Sequence, residues 1–377
     1  MNKHLPQLDG LRGIAILIVF LGHLVVFGFG LGLSRLGPIP PTGVDLFFVL
    51  SGFLITRILL DSREQPNYFK SFYVRRALRI WPLYFVVLTI LFVATNHRIA
   101  ALTFDETRVH WPAFVFYVQN LLYKQATELG PLALAITWSL AVEEQFYGIW
   151  PIVVRKVTVR GLTCILFGTI LIAPFARVLA PKFGIDPYIN PICRFDAMAM
   201  GGLVAIWAVN GKLSKRIVFK TTWLILAAAV PLEIACHYLG LTHYLSKTIV
   251  GAVFAAVLAS SLYSETVIRG LSKGILRALG KVSYCVYLVH AIVAGIAVSL
   301  WPGRSLPLAL FRIALIAAGT LGIAALSWHF FEEPILRFKR YFPAGGVKTK
   351  TAQPHRSPLF LPNPESEREV SGYATER

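Results

Sequence analysis

The sequence predicts an all-α integral membrane protein of about ten transmembrane helices, with one additional re-entrant or interfacial apolar segment. Three observations carry this. Of 377 residues, 56% are hydrophobic and only 15% are charged, whereas a soluble chain carries about 25% charged residues. The apolar residues are gathered into blocks that reach the roughly 20 residues a membrane helix needs. Lys and Arg fall in short stretches between those blocks, as in the cytoplasmic loops of membrane proteins. The net charge of +18 therefore reads as topology determinants beside anionic lipid, and nucleic-acid binding is set aside.

Spans are expected near 11–32, 43–61, 79–95, 137–155, 160–180, 191–210, 221–240, 247–264, 282–301 and 308–331. The first is too long for a signal-peptide core and lacks an A-x-A cleavage site, so it is expected to remain. The basic stretch "TRILLDSREQPNYFKSFYVRRALR" (56–79) belongs in the cytoplasm, as do "RKVTVR" (155–160), "KLSKR" (212–216), "RGLSKGILRALGK" (269–281) and "RFKR" (337–340). These assignments agree only if the short stretch "WPAFVFYVQNLLY" (111–123) does not cross. Both termini are then cytoplasmic, and 1–342 forms one transmembrane domain. Residues 343–377, rich in Pro, Ser, Glu and Arg, are expected to be a disordered cytoplasmic tail. Cys164, Cys193, Cys236 and Cys285 stand singly in apolar segments, which argues against disulfides and zinc.

Ionisable residues inside spans cost about 2.5 kcal/mol or more at mid-bilayer and are functional candidates by default. "LDGLRGIAILIVFLGHLVVFG" (8–28) holds Arg12 and His23. On an α-helix they lie about 20° apart around the axis and about 16 Å apart along it. "TWSLAVEEQFYGIWP" (137–151) brings Glu143 to roughly the depth of His23, with Ser139, Phe146, Tyr147 and Trp150 on its side and Glu144 facing elsewhere. A carboxylate at that depth is expected to orient the imidazole. In "FKSFYVRRALRIWPLY" (69–84), Arg75, Arg76 and Arg79 form a cytoplasmic rim suited to a polyphosphate.

Asp45 is expected to cap span two. Arg194 and Asp196 are expected to pair with each other near the outer end of their helix. Ser283, Tyr287 and His290 form a polar stripe at i, i+4 and i+7. His237, His243 and His329 look peripheral, and no metal-binding spacing occurs. The residues alone fit either group transfer across the membrane or a proton-coupled transporter or flippase with His23 and Glu143 as the relay. No internal inverted repeat favours the second.

The chain resembles the acyltransferase-3 family of integral-membrane acyltransferases over about residues 8–340. "LDGLRGIAILIVFLGH" matches its Arg-ten-residues-His signature, and "WSLAVEEQFYGIWP" its W-S-L-x-x-E-x-x-F-Y pattern. "GVDLFFVLSGFLI", "FYVRRALRIWPLY", "RFDAMAMG", "SYCVYLVH" and "FFEEPILRFKR" follow in family order. One position departs: many members have a His just before the T-W-S-L stretch, where this chain has Ile136. Some members also carry a soluble hydrolase-like domain. None is seen here, so transfer is expected to finish within the membrane domain.

The resemblance implies a membrane-bound O-acyltransferase of the bacterial inner membrane. Its donor would be cytoplasmic acyl-CoA, most often acetyl-CoA, with no metal. Its acceptor would be a hydroxyl of an extracytoplasmic sugar or polysaccharide, although lipid-linked sugars and small lipophilic products also fit the family. Arg12 would help seat the donor with Arg75, Arg76 and Arg79. His23 would act as general base or acyl relay, and Glu143 would be catalytic beside it. Asp45, Trp138, Ser139, Tyr147, Arg194, Asp196, Tyr287 and His290 are the further polar candidates. Trp111, Tyr117, Trp138 and Tyr188 are aromatic surfaces on which a sugar could stack.

Overall fold

The computed structural model describes residues 5–29, 39–96, 109–130, 132–303 and 305–343. The region expected to be a disordered tail (343–377) lies, after residue 343, outside the described residues.

Among the described residues eight helices are long and apolar enough to cross a membrane. They are α1 (Pro6–Gly28), α2 (Ile39–Asp61), α3 (Tyr68–Asn96), α8 (Val159–Leu179), α10 (Lys215–Tyr238), α11 (Thr242–Tyr263), α13 (Gly274–Leu300) and α14 (Leu306–Ser327). The two remaining expected spans are also helices. Helix α7 (Trp138–Lys156) carries Glu143, Glu144, Arg155 and Lys156, which lower its hydropathy. Helix α9 (Phe195–Val209) has 15 residues, about 22 Å, and is buried along nearly its whole length. Protein rather than lipid surrounds it, so it needs no full hydrophobic span.

The segment 111–123 is broken. Helix α4 (Trp111–Val115) and helix α5 (Gln119–Leu122) have five and four residues, about 7 Å each and far too short to cross. Tyr117 between them adopts φ 56°, a conformation that stops a helix. Its backbone carbonyl accepts from Gln145 Nε2 at 2.8 Å, and its ring stacks on Tyr84 at 4.5 Å. A short 3-10 turn (Ala126–Leu129) and α6 (Leu132–Ala135) complete the connection to α7.

Side-chain hydrogen bonds gather three parts of the chain at one end of the bundle. Arg63 in the α2–α3 turn donates to the carbonyls of Val157 at 2.8 Å and Arg155 at 3.4 Å, capping the end of α7. Asn67 and Ser71 donate to the carbonyls of residues 342–343, beyond α12 (Glu265–Leu271), α15 (Glu333–Arg337) and a closing 3-10 turn (Phe338–Tyr341). The start of α1 faces Arg76 and Arg79 at the same end. Helix α3 therefore leaves this end and α7 returns to it.

The bundle is assembled by close helix crossings: α1 lies along α13 and α2, and α2 along α9. Gly52 of α2 and Gly201 of α9 make the second crossing possible. A methyl group at Gly52 would overlap the Met198 carbonyl, and one at Gly201 the Val49 carbonyl. Without a hydrophobic drive between helices in lipid, such close approach supplies the packing. Gly52→Ala is expected to destabilise the protein by about 1–3 kcal/mol or more, because a backbone carbonyl cannot rotate away. Thermal unfolding in nanodiscs checks this against Gly148→Ala, where nothing lies within 4 Å of the new atom. Equal midpoints would refute the crossing argument.

Candidate functional site

A cavity of about 100 Å³ lies between α1, α2, α3, α7 and α13. Arg12, Arg76 and Arg79 wall it together with Glu143, Tyr147, Ser283 and Tyr284, and Ser51, Ser139 and Tyr287 add hydroxyls. Arg12 is held by Asp9 at 3.3 Å, one turn back on the same helix. Arg76 lies 4.9 Å over the Tyr147 ring. Arg79 makes no hydrogen bond or ion pair within 4.0 Å among the described residues, and Glu332 acts on it electrostatically from farther away. Arg75 differs from the expected rim. Its Nη1 donates to the carbonyls of Lys339 at 3.1 Å and Phe342 at 3.2 Å. As the neighbour of Arg76 it points about 100° away around α3, toward residues 339–342.

Glu143 does not meet His23. Its oxygens accept from Ser51 Oγ and the Tyr147 hydroxyl, both at 2.8 Å, and Tyr147 also reaches Ser51 at 3.1 Å. Glu143 shares its cavity with Arg12 rather than His23; α7 packs against α2 while α1 packs along α13, and a depth counted along one helix carries no lateral position. Glu144 faces elsewhere, as expected, and accepts from Trp81 Nε1 at 3.2 Å.

His290 takes the place expected for Glu143. Its Nε2 lies 3.3 Å from His23 Nδ1, and the ring centroids are 5.0 Å apart. His290 Nδ1 faces two carbonyls, Tyr287 at 2.7 Å and Val286 at 3.0 Å. Carbonyls only accept, so Nδ1 carries the proton of neutral His290 and its Nε2 is an acceptor. His23 must then donate through Nδ1, which leaves His23 Nε2 with a free lone pair. A base held in one tautomer by a second residue is the arrangement proton abstraction requires.

Tyr287, one turn before His290, lines the cavity. It shares a 2.7 Å hydrogen bond with Ser139 and lies 2.8 Å from the Ile136 carbonyl. Tyr287 and Ser139 thus close the cavity at the end nearer the two histidines, and the apolar side chain of Ile136 is buried behind them. Ser283 and Tyr287 of the expected stripe line the cavity, while His290 sits beyond it.

Farther along the bundle is a buried ionic cluster. Asp45 is not a helix cap: α2 begins six residues earlier, and Asp45 pairs with Arg194 at 2.7 Å and Lys247 at 3.3 Å. Asp196 pairs with Arg177, not with Arg194, and accepts from Thr248 at 2.7 Å. Helix geometry explains the correction, since residues two apart on one helix do not face each other. The Arg194 guanidinium lies 5.3 Å from the Trp138 ring, 5.4 Å from Tyr188 and 5.5 Å from Phe48. Trp138 and Tyr188 therefore present faces to a guanidinium. Trp111 packs with Phe92 and Tyr117 with Tyr84, away from that cluster. The roles of Arg177 and Lys247 escaped the sequence reading, although both are ionisable residues at expected spans. Among the described residues no group of three His, Cys, Asp or Glu side chains is placed to hold a metal.

A family model described as an acyltransferase domain matches residues 5–329. The chain belongs to the acyltransferase-3 family. It is 30% identical over 390 residues to the peptidoglycan O-acetyltransferase OatA of Listeria monocytogenes, covering 93% of this chain and 58% of that protein. It is 28% identical over 392 residues to the O-acetyltransferase OatA of Staphylococcus aureus, covering 95% of this chain and 61% of that protein. The chain thus spans about three fifths of the length of these two relatives. No solved structure matches it. As an acyltransferase-3 member it is a multi-pass membrane protein, and the arginine-walled cavity and the His23–His290 pair are its candidate site.

Proposed function

We propose that this protein is a membrane O-acetyltransferase that moves an acetyl group from acetyl-CoA to a hydroxyl of a cell-envelope glycan. The observation that carries the proposal is the juxtaposition of a cavity walled by three guanidinium groups with a tautomer-locked histidine one turn past its far end. The donor's phosphates would meet Arg12, Arg76 and Arg79 from the cytoplasm, with both termini on that side of the bacterial inner membrane. Its pantetheine arm would point past Ser139 and Tyr287 toward His23. The family and the names of the two relatives support an acetyl group and a glycan acceptor.

In the proposed reaction His23 Nε2 removes the proton of the acceptor hydroxyl. The oxygen attacks the thioester carbonyl, the C–S bond breaks, and the imidazolium returns the proton to the CoA thiolate. His290 is a positioning residue that keeps His23 Nε2 unprotonated at the outset. Glu143 acts at the cavity wall through Ser51 and Tyr147. The alternative, a transporter with a His23–Glu143 relay, loses its geometric motive because these two residues have separate partners.

The test is release of free CoA from acetyl-CoA by the protein in nanodiscs, together with donor binding. Wild type is expected to bind and slowly cleave acetyl-CoA, and Arg12→Ala to weaken donor binding roughly tenfold or more, the scale of one charged hydrogen bond. Absence of binding and of release in folded wild-type protein would refute the donor assignment.

A further inference from the structure

The last described residues are tied down by side chains of α3 and of Asn67 just before it. Arg75 Nη1 donates to the carbonyls of Lys339 and Phe342 at 3.1 and 3.2 Å. Ser71 Oγ donates to those of Phe342 and Pro343 at 3.1 and 2.9 Å, and Asn67 Nδ2 to that of Pro343 at 3.2 Å. All five bonds end on main-chain oxygens, so they fix the path of this strap whatever its side chains are. The stretch leading to it, including Glu332, Ile335 and Leu336, packs against Arg79.

The strap delivers Lys339 to the arginine group. Its ammonium interacts electrostatically with Arg79, Arg76, Arg75 and Arg12. Of these five cations only Arg12 has an ion pair within 4.0 Å among the described residues, to Asp9 at 3.3 Å. Glu332 interacts with Arg79, but its Oε1 accepts from Ser327 at 3.3 Å and its Oε2 meets no donor. Three of these cations, Arg12, Arg76 and Arg79, line the cavity; Lys339 and Arg75 add like charge beside it, and the mutual repulsion is relieved when a multiply charged anion binds among them.

We infer that Lys339 is a phosphate-binding residue of the donor site, placed there by the strap anchored on Arg75, Ser71 and Asn67. The inference rests on the acyl-CoA reading proposed above and extends it to a residue outside the three-arginine wall. A compact ammonium suits one phosphate oxygen as a point charge, beside guanidinium groups that grip in pairs. Arg75 is then a positioning residue: its donors hold the strap while Arg76 and Arg79 face the cavity.

The test measures dissociation constants of CoA, dephospho-CoA and pantetheine for full-length wild type, Lys339→Gln and Lys339→Arg. The proteins are compared in phosphatidylcholine nanodiscs and again in discs containing phosphatidylglycerol. Lys339→Gln is expected to weaken CoA roughly tenfold, the scale of one charge-assisted hydrogen bond. Pantetheine binding should be unchanged, and Lys339→Arg should recover most of the CoA affinity. A loss for CoA but not for dephospho-CoA would place Lys339 at the 3′-phosphate, and an equal loss for both would place it at the diphosphate. The inference fails if Lys339→Gln binds CoA as wild type does, or weakens pantetheine equally. It also fails if only stabilisation by phosphatidylglycerol is lost, which would make Lys339 a lipid-headgroup contact. If wild type itself binds no CoA, the donor reading has failed instead.

Discussion

Replacing His23 with alanine is expected to lower acetyl transfer by about 10²–10⁴-fold, the range that a positioned general base supplies. CoA binding should change little, because His23 lies beyond the cavity that Arg12, Arg76 and Arg79 wall. His290→Ala should fall between the two. It removes the acceptor that His23 Nδ1 donates to but leaves the base in place, so a loss of about 10–100-fold is expected, the scale seen when the partner that orients a metal-bound imidazole is removed. Acetyl transfer to a glycan acceptor and CoA affinity, measured on the same preparations, separate these effects. If His23→Ala keeps wild-type transfer, the base assignment is wrong. If His290→Ala is as inactive as His23→Ala, His290 does more than hold a tautomer.

Asp45→Ala is expected to destabilise the protein by about 3–5 kcal/mol, the cost of breaking a buried pair and leaving its partner charged. Arg194 is 2% exposed and would keep only the faces of Trp138, Tyr188 and Phe48. Lys247, being partly exposed, can turn toward solvent and should be hurt less. The double change Asp45→Ala with Arg194→Met should recover most of the loss, because it removes the stranded charge and keeps the volume. Unfolding midpoints in nanodiscs, converted to free energies, decide the matter. An Asp45→Ala protein within 1 kcal/mol of wild type would mean that the cluster does not hold the bundle together.

The eight long apolar helices among the described residues were legible because membrane burial imposes a single rule, long apolar runs, on the sequence. The basic loops were consistent with one another only if 111–123 does not cross, and its two helices, of five and four residues, are too short to do so. Its break at Tyr117 has no such signature, since the residue that turns the chain is neither Gly nor Asn. The site was legible in its membership and less so in its pairings. Arg12, Arg76, Arg79, Glu143, Ser139 and Tyr287 do share one cavity. The partner of His23 was missed because helical periodicity fixes which residues share a face and at what depth, but not which helix lies opposite. The same limit exchanged the partners of Arg194 and Asp196, which depend on the lateral order of α2, α8, α9 and α11.

Arg12 lies six residues into α1, about 9 Å along the axis, which is three tenths of a bilayer core some 30 Å thick if the apolar span starts with the helix at Pro6. If the proposed polyanionic donor binds at that guanidinium, its charges pass through part of the electric field across the membrane. At about 2.3 kcal/mol per charge for a full crossing at 100 mV, each charge taken that far exchanges about 0.7 kcal/mol with the membrane voltage. Binding in an energised membrane, negative inside, is then weaker or stronger than in a detergent micelle, according to which face the arginines open toward. A voltage clamped across proteoliposomes would give the sign directly, and with it the orientation of the whole bundle.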